Sequence, residues 1–89
     1  MYPIVKKEQL ADKIFLMDVK AERVAKTCMP GQFIIVKIDE EGERIPLTIC
    51  DYDREAGTIT SVFQVVGAST QRMTGFEVGD SFRDFVGPL

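Results

Sequence analysis

The sequence predicts a closed or nearly closed antiparallel β-barrel carrying one short helix. Three observations lead there: six short strand-like runs, closely spaced turn signals between them, and one helical segment late in the chain. Closing the sheet also disposes of strand edges that would otherwise stand unpaired.

Tyr2 to Leu10 reads as the first strand and Lys13 to Lys20 as the second, with Ala11-Asp12 turning between them. In the second strand, Ile14, Leu16, Asp18 and Lys20 fall on one face, and Phe15, Met17 and Val19 on the other. Ala21 to Thr27 spaces Val24 and Cys28 for one helical turn. Met29-Pro30-Gly31-Gln32 turns the chain, because proline pre-sets φ and glycine accepts φ > 0. Phe33 to Asp39 is a strongly β-branched strand, Glu40-Glu41-Gly42-Glu43 an acidic hairpin loop, and Arg44 to Tyr52 the returning partner. Asp53 to Gly57 makes the next turn and Thr58 to Val66 the fifth strand. Ala68 to Gly75 is the short helix, Phe76 to Asp80 a tight turn, and Ser81 to Val86 the sixth strand, ending at Gly87-Pro88-Leu89.

Eighty-nine residues make one domain, able to bury a core with a modest margin of stability. The net charge of −3 and the lack of a clustered basic face argue against nucleic acid as a partner. No run approaches the roughly 20 apolar residues of a membrane span. Met1 to Lys7 lacks an apolar signal core, so a cytoplasmic location is expected. Cys28 and Cys50 are then expected as two buried, unpaired thiols. Two cysteines without any histidine supply neither a structural zinc site nor an iron–sulfur cluster. The missing histidine also removes the commonest general base, so any chemistry here belongs to a cofactor.

Two segments stand out. Proline within a strand removes a ladder donor, so Pro46 belongs on an edge, at a bulge, or where a ligand replaces the pairing. Thr48 shares its face, while Ile45, Leu47 and Ile49 point the other way. A hydroxyl beside a gap in a ladder can hydrogen-bond a heterocycle laid against the strand. Gly67-Ala68-Ser69-Thr70 precedes a helix whose first amides lack partners, an arrangement that favours an anion. A barrel-corner bulge accounts for Pro46 as well, and an ordinary Ser or Thr N-cap accounts for the turn.

The ordered set Pro30-Gly31-Gln32-Phe33, Arg44-Ile45-Pro46-Leu47-Thr48, Gly67-Ala68-Ser69-Thr70 and Asp84-Phe85-Val86-Gly87-Pro88-Leu89 resembles the FAD-binding barrel of the ferredoxin reductase superfamily. It is most similar to the electron-transfer subunit of dihydroorotate dehydrogenase and to the small subunit of NADH-dependent ferredoxin:NADP oxidoreductase. The resemblance implies a six-stranded antiparallel Greek-key barrel. It implies that Ile45, Pro46, Leu47 and Thr48 line the isoalloxazine and ribityl portion, with Thr48 near the reactive N5 edge. Val62, Phe63 and Gln64 would meet the ribityl or adenosine portion, and Gly67, Ser69 and Thr70 the pyrophosphate. Phe63 also has a simpler role as a core residue.

Two positions depart from the superfamily pattern, in which an arginine three residues before the hydroxyl residue clamps the pyrophosphate and an aromatic stacks on the flavin. Ile45 occupies the arginine's place, with Arg44 one step earlier and on the opposite strand face, and Leu47 replaces the aromatic. More of the phosphate charge then falls to the amides after Gly67.

The resemblance further implies electron transfer through FAD between NAD(P)H and an iron–sulfur or ferredoxin partner, with a partner flavoprotein or iron–sulfur subunit. The NAD(P) site and the 2Fe–2S cluster would lie in regions absent from residues 1–89, which read as an isolated FAD-binding domain of a longer subunit. Alone, the domain is expected to catalyse little; the full-length protein would be an NAD(P)H-linked flavin oxidoreductase subunit. Two alternatives stay open: a riboflavin-synthase-like barrel that binds a flavin or lumazine without nicotinamide chemistry, and a non-catalytic barrel used for protein contacts.

Overall fold

Alternation along the strands decides which side chains the barrel encloses. The computed structural model describes Tyr2 to Leu89. Its elements are β1 (Tyr2–Ala11), β2 (Ile14–Lys20), α1 (Glu22–Thr27), β3 (Phe33–Lys37), β4 (Arg44–Asp53), β5 (Thr58–Gln64), α2 (Ala68–Met73), β6 (Ser81–Phe82) and β7 (Asp84–Val86). In β4, Ile45, Leu47 and Ile49 are buried while Arg44, Pro46 and Thr48 are exposed; in β5, Ile59, Ser61 and Phe63 are buried. Met17 and Val19 of β2 join them inside. The faces expected for β2 and β4 are therefore the faces observed.

The strands form one antiparallel sheet in the order β6-β1-β2-β5-β4-β3-β7. The expected sixth strand, Ser81 to Val86, is two strands. Its first part pairs with β1 (Tyr2↔Phe82) and its second with β3 (Val36↔Phe85). Arg83 makes the step, and its N–H donates to the Lys37 carbonyl at 2.9 Å. One continuous segment thus pairs with β1 near one end of that order and with β3 near the other, and this closes the barrel. Tyr2 stacks on Phe85 across the seam, with ring centroids 5.6 Å apart.

The helical turn read over 21–27 is a second helix, α1. It buries Val24 and Ala25, and the Cys28 N–H closes it by donating to the Val24 carbonyl. Cys28 and Cys50 are both unpaired, as expected, but only Cys28 is buried. Cys50 shares the outward parity of Thr48, so strand alternation exposes it. Burial raises the pKa of the Cys28 thiol, and the nearby Arg54 opposes that shift. Among the described residues, no helix is long and apolar enough to cross a membrane.

Candidate functional site

β4 changes its ladder partner along its length. Arg44 to Thr48 pair with β3, from Lys37↔Arg44 to Phe33↔Thr48. Pairing with β5 begins only at Ile49↔Ser61, with a bulge between Ile49 and Asp51 just inside the paired stretch. At the matching end of β5, Val62 and Gln64 pair with Leu16 and Ile14 of β2. A gap therefore opens between residues 44–48 and 62–64.

The backbone direction shows which groups face it. The Ile49 N–H donates to the Gln32 carbonyl at 2.8 Å, and the Ile49 carbonyl accepts the Gly31 N–H at 3.1 Å, both on the β3 side. Alternate residues of a strand point their peptide groups to opposite edges. Leu47 and Ile45 thus bond towards β3, while Arg44, Pro46 and Thr48 turn theirs into the gap. Across it, the Val65 N–H donates to the Lys13 carbonyl at 2.8 Å, towards β2. By the same parity Val62 and Gln64 face the gap. Pro46 costs the fold no ladder bond, because its missing donor would have pointed into open space.

The site residues divide accordingly. Arg44, Pro46 and Thr48 share one outward face, whereas Ile45 and Leu47, 7% and 8% exposed, are turned into the core and hold the strand. Phe63 is buried and stacks on Phe15 at 5.9 Å. Its backbone has the parity of Val65 and points to β2, so the simpler core role describes it.

The second motif lies at the end of this gap. Gly67 is extended (φ −166°, ψ −178°), a conformation open to any residue, and a Cβ there would meet nothing within 4 Å. No backbone penalty therefore attaches to replacing it. The Thr70 hydroxyl accepts the N–H groups of Val66 (3.0 Å) and Gly67 (3.1 Å) and donates to the Gly67 carbonyl. The first intrahelical bond runs from the Gln71 N–H to the Gly67 carbonyl, which leaves the amides of Ala68, Ser69 and Thr70 without helical partners. Both hydroxyls of the motif are engaged within the chain, since Ser69 Oγ donates to Glu43 Oε2 at 3.0 Å. What the turn offers an anion is its amides.

Two contacts hold α2 against the loop between β3 and β4. One is Ser69–Glu43; the other is Arg72 Nη2 to Asp39 Oδ2 at 2.5 Å, which holds the Asp39 carboxyl below its usual range. Glu43 directly precedes Arg44. Residues 26 apart in the chain are thereby joined, and the 67–70 turn sits beside the start of the open half of β4. A concavity of about 510 Å³ at the turn is lined by Lys13, Val65, Val66, Gly67, Ala68 and Gln71. A larger one, about 710 Å³, lies between Tyr2, Val24 and Phe85 and shares no residue with either motif. Among the described residues no group of acidic, cysteine or histidine side chains is placed to hold a metal.

Sequence reasoning missed Glu43 and Lys13. An acidic loop and a hairpin turn carry no signal of what they will touch. The nearest available sign was that the loop immediately precedes Arg44.

No protein-family model matches the chain. An uncharacterized protein in the adh 3′ region of Clostridium beijerinckii is 61% identical over 89 residues, covering all of this chain and 30% of that protein. The dihydroorotate dehydrogenase B (NAD(+)) electron transfer subunit homolog of Thermotoga maritima is 41% identical over 86 residues, covering 97% of this chain and 30% of that protein. A chain in the structure of NADH-dependent reduced ferredoxin–NADP oxidoreductase, solved for insight into flavin-based electron bifurcation, superposes with a TM-score of 0.96. It is 39% identical and is matched over 100% of this chain and 32% of its own length. The likeness read from the ordered motifs is borne out, and the chain spans about 30% of the length of the curated relatives named here.

Proposed function

We propose that this chain is the FAD-binding barrel of an electron-transfer flavoprotein subunit. In that subunit it would carry electrons between NAD(P)H and an iron–sulfur or ferredoxin partner. The observation that carries the reading is the gap between residues 44–48 and 62–64, joined to the 67–70 turn through the Glu43–Ser69 contact. A heterocycle needs a flat slot with unpaired donors and acceptors along it, and its diphosphate needs free amides at one end. The chain supplies both in the right order.

The Thr48 hydroxyl and N–H would bond the polar edge of the isoalloxazine, and Pro46 would give the ring an apolar wall. Val62 and Gln64 would meet the ribityl or adenosine portion with their peptide groups. The amides from Ala68 to Thr70 would receive the pyrophosphate, and Arg44, on the Thr48 face, would approach it from the strand. Bound FAD supplies hydride acceptance and single-electron release; the residues around it supply position and electrostatics. The NAD(P) and 2Fe–2S sites belong, on this reading, to regions outside residues 1–89. Names of related subunits for dihydroorotate dehydrogenase and for ferredoxin–NADP oxidoreductase support the electron-transfer role.

Titrating FAD and riboflavin into the chain, followed by flavin fluorescence, tests the reading. Saturable binding of both, tighter for FAD, is expected. Absence of binding by either flavin would remove the proposal.

A further inference from the structure

Lys13 is the one non-glycine residue with positive φ (63°) among the described residues. Hairpin turns ordinarily give such a position to glycine, asparagine or aspartate, because a β-carbon is crowded there. A lysine gains nothing locally from this conformation. Its surroundings suggest what it gains elsewhere.

The Lys13 carbonyl accepts the Val65 N–H at 2.8 Å, tying the β1–β2 turn to the segment that leads into Gly67. Lys13 lines the concavity of about 510 Å³ with Val65, Val66, Gly67, Ala68 and Gln71. It is the only charged residue lining that space, which contains no carboxylate. Lys7, Lys20, Arg72 and Arg83 each form an ion pair within the chain, and Lys13 forms none among the described residues. The concavity is thus a recess with one uncommitted positive charge, beside the free amides that open α2.

The geometry points to Lys13 as the cation that holds the phosphate end of a flavin dinucleotide, its left-handed turn keeping the ammonium at the recess. This inference rests on the FAD-binding reading above. It assigns the phosphate charge to a residue of the first hairpin, distant in sequence from both motifs.

The test uses three forms of the chain, wild type, Lys13→Gln and Lys13→Gly, each titrated with FAD and with riboflavin and each melted thermally. Lys13→Gln should weaken FAD binding roughly ten- to a hundredfold, as expected for loss of one charge-assisted contact, and leave riboflavin binding unchanged. The dependence of FAD affinity on salt should flatten in the same variant. Lys13→Gly should lose the same FAD affinity yet melt at a higher temperature than wild type, because glycine relieves the turn. A purely structural lysine would not separate the two readouts in this way. Wild-type affinity for FAD in both variants overturns the role of Lys13 and leaves the flavin site standing. Equal wild-type affinities for FAD and riboflavin overturn the phosphate subsite and Lys13 together, and no flavin binding by the wild type overturns the whole reading.

Discussion

The two halves of β4 make the most instructive comparison in the molecule. From Arg44 to Thr48 the strand pairs with β3, from Ile49 to Asp53 it pairs with β5, and only at Ile49 does it have neighbours on both edges. Side-chain alternation carries on from one half into the other, with Ile45, Leu47 and Ile49 all in the core. Only the hydrogen-bonding edge differs. A barrel can therefore open a slot in its sheet without losing any of its core, by diverting the partner strand and leaving the packed face intact. Proline is tolerated in the open half for the same reason.

The comparison breaks most heavily at Ile49, which is 1% exposed. Ile49→Ala should cost about 2–5 kcal/mol in urea unfolding. Should it cost no more than Thr48→Val, core packing is not what holds the strand.

Thiol labelling sharpens the contrast between outward and inward faces. Cys50 should react in the folded chain and Cys28 only on unfolding, so one thiol of two is titrated under native conditions. The raised Cys28 pKa adds a pH effect. A thiol more acidic in the unfolded chain contributes stability that is intact below about pH 8.5 and is lost as pH rises further.

Thr48→Val keeps the strand and deletes the hydroxyl at the slot. Flavin affinity should fall about fivefold while stability stays within about 0.5 kcal/mol. A loss of stability without loss of affinity would place the Thr48 hydroxyl in the fold.

Glu43→Gln removes a carboxylate from Ser69. FAD should bind about two- to fivefold more tightly, as expected when an exposed like charge is taken from beside a phosphate. Gly67→Ala should be the quietest change, within about 0.5 kcal/mol in stability, because the backbone is extended and the added carbon meets nothing. A clear destabilisation there would mean that the turn is more crowded than its geometry indicates.

Much of this arrangement was legible beforehand. Period-two alternation in Arg44-Ile45-Pro46-Leu47-Thr48 set the faces of β4, and the turn chemistry around Pro30-Gly31 and Gly57 marked strand ends. The exposure of Cys50 was legible too, since it shares the parity of Thr48; the pull of an apolar side chain towards burial masked it. The gap was not legible, because it lies where β4 changes ladder partner at Ile49, beside a bulge that no glycine or proline announces. The division of Ser81 to Val86 is likewise tertiary. Its two parts have different partners, Tyr2 and Val36, and nothing in six residues says so. Lys13 hid its conformation by being a residue that turns of this kind seldom use.

That divided closing segment also bears on how the barrel assembles and breathes. Phe82 must find Tyr2, and Phe85 must find Val36, across almost the whole chain in the first case and half of it in the second. Contacts of such long sequence separation form only after much chain entropy has been lost, so both seams should be late events in folding. They should also open as one unit, since a single peptide joins them at Arg83. Native-state hydrogen exchange would register this as matched protection for the Arg83 amide and the seam amides around Ile4, below that of the β2–β5 ladder.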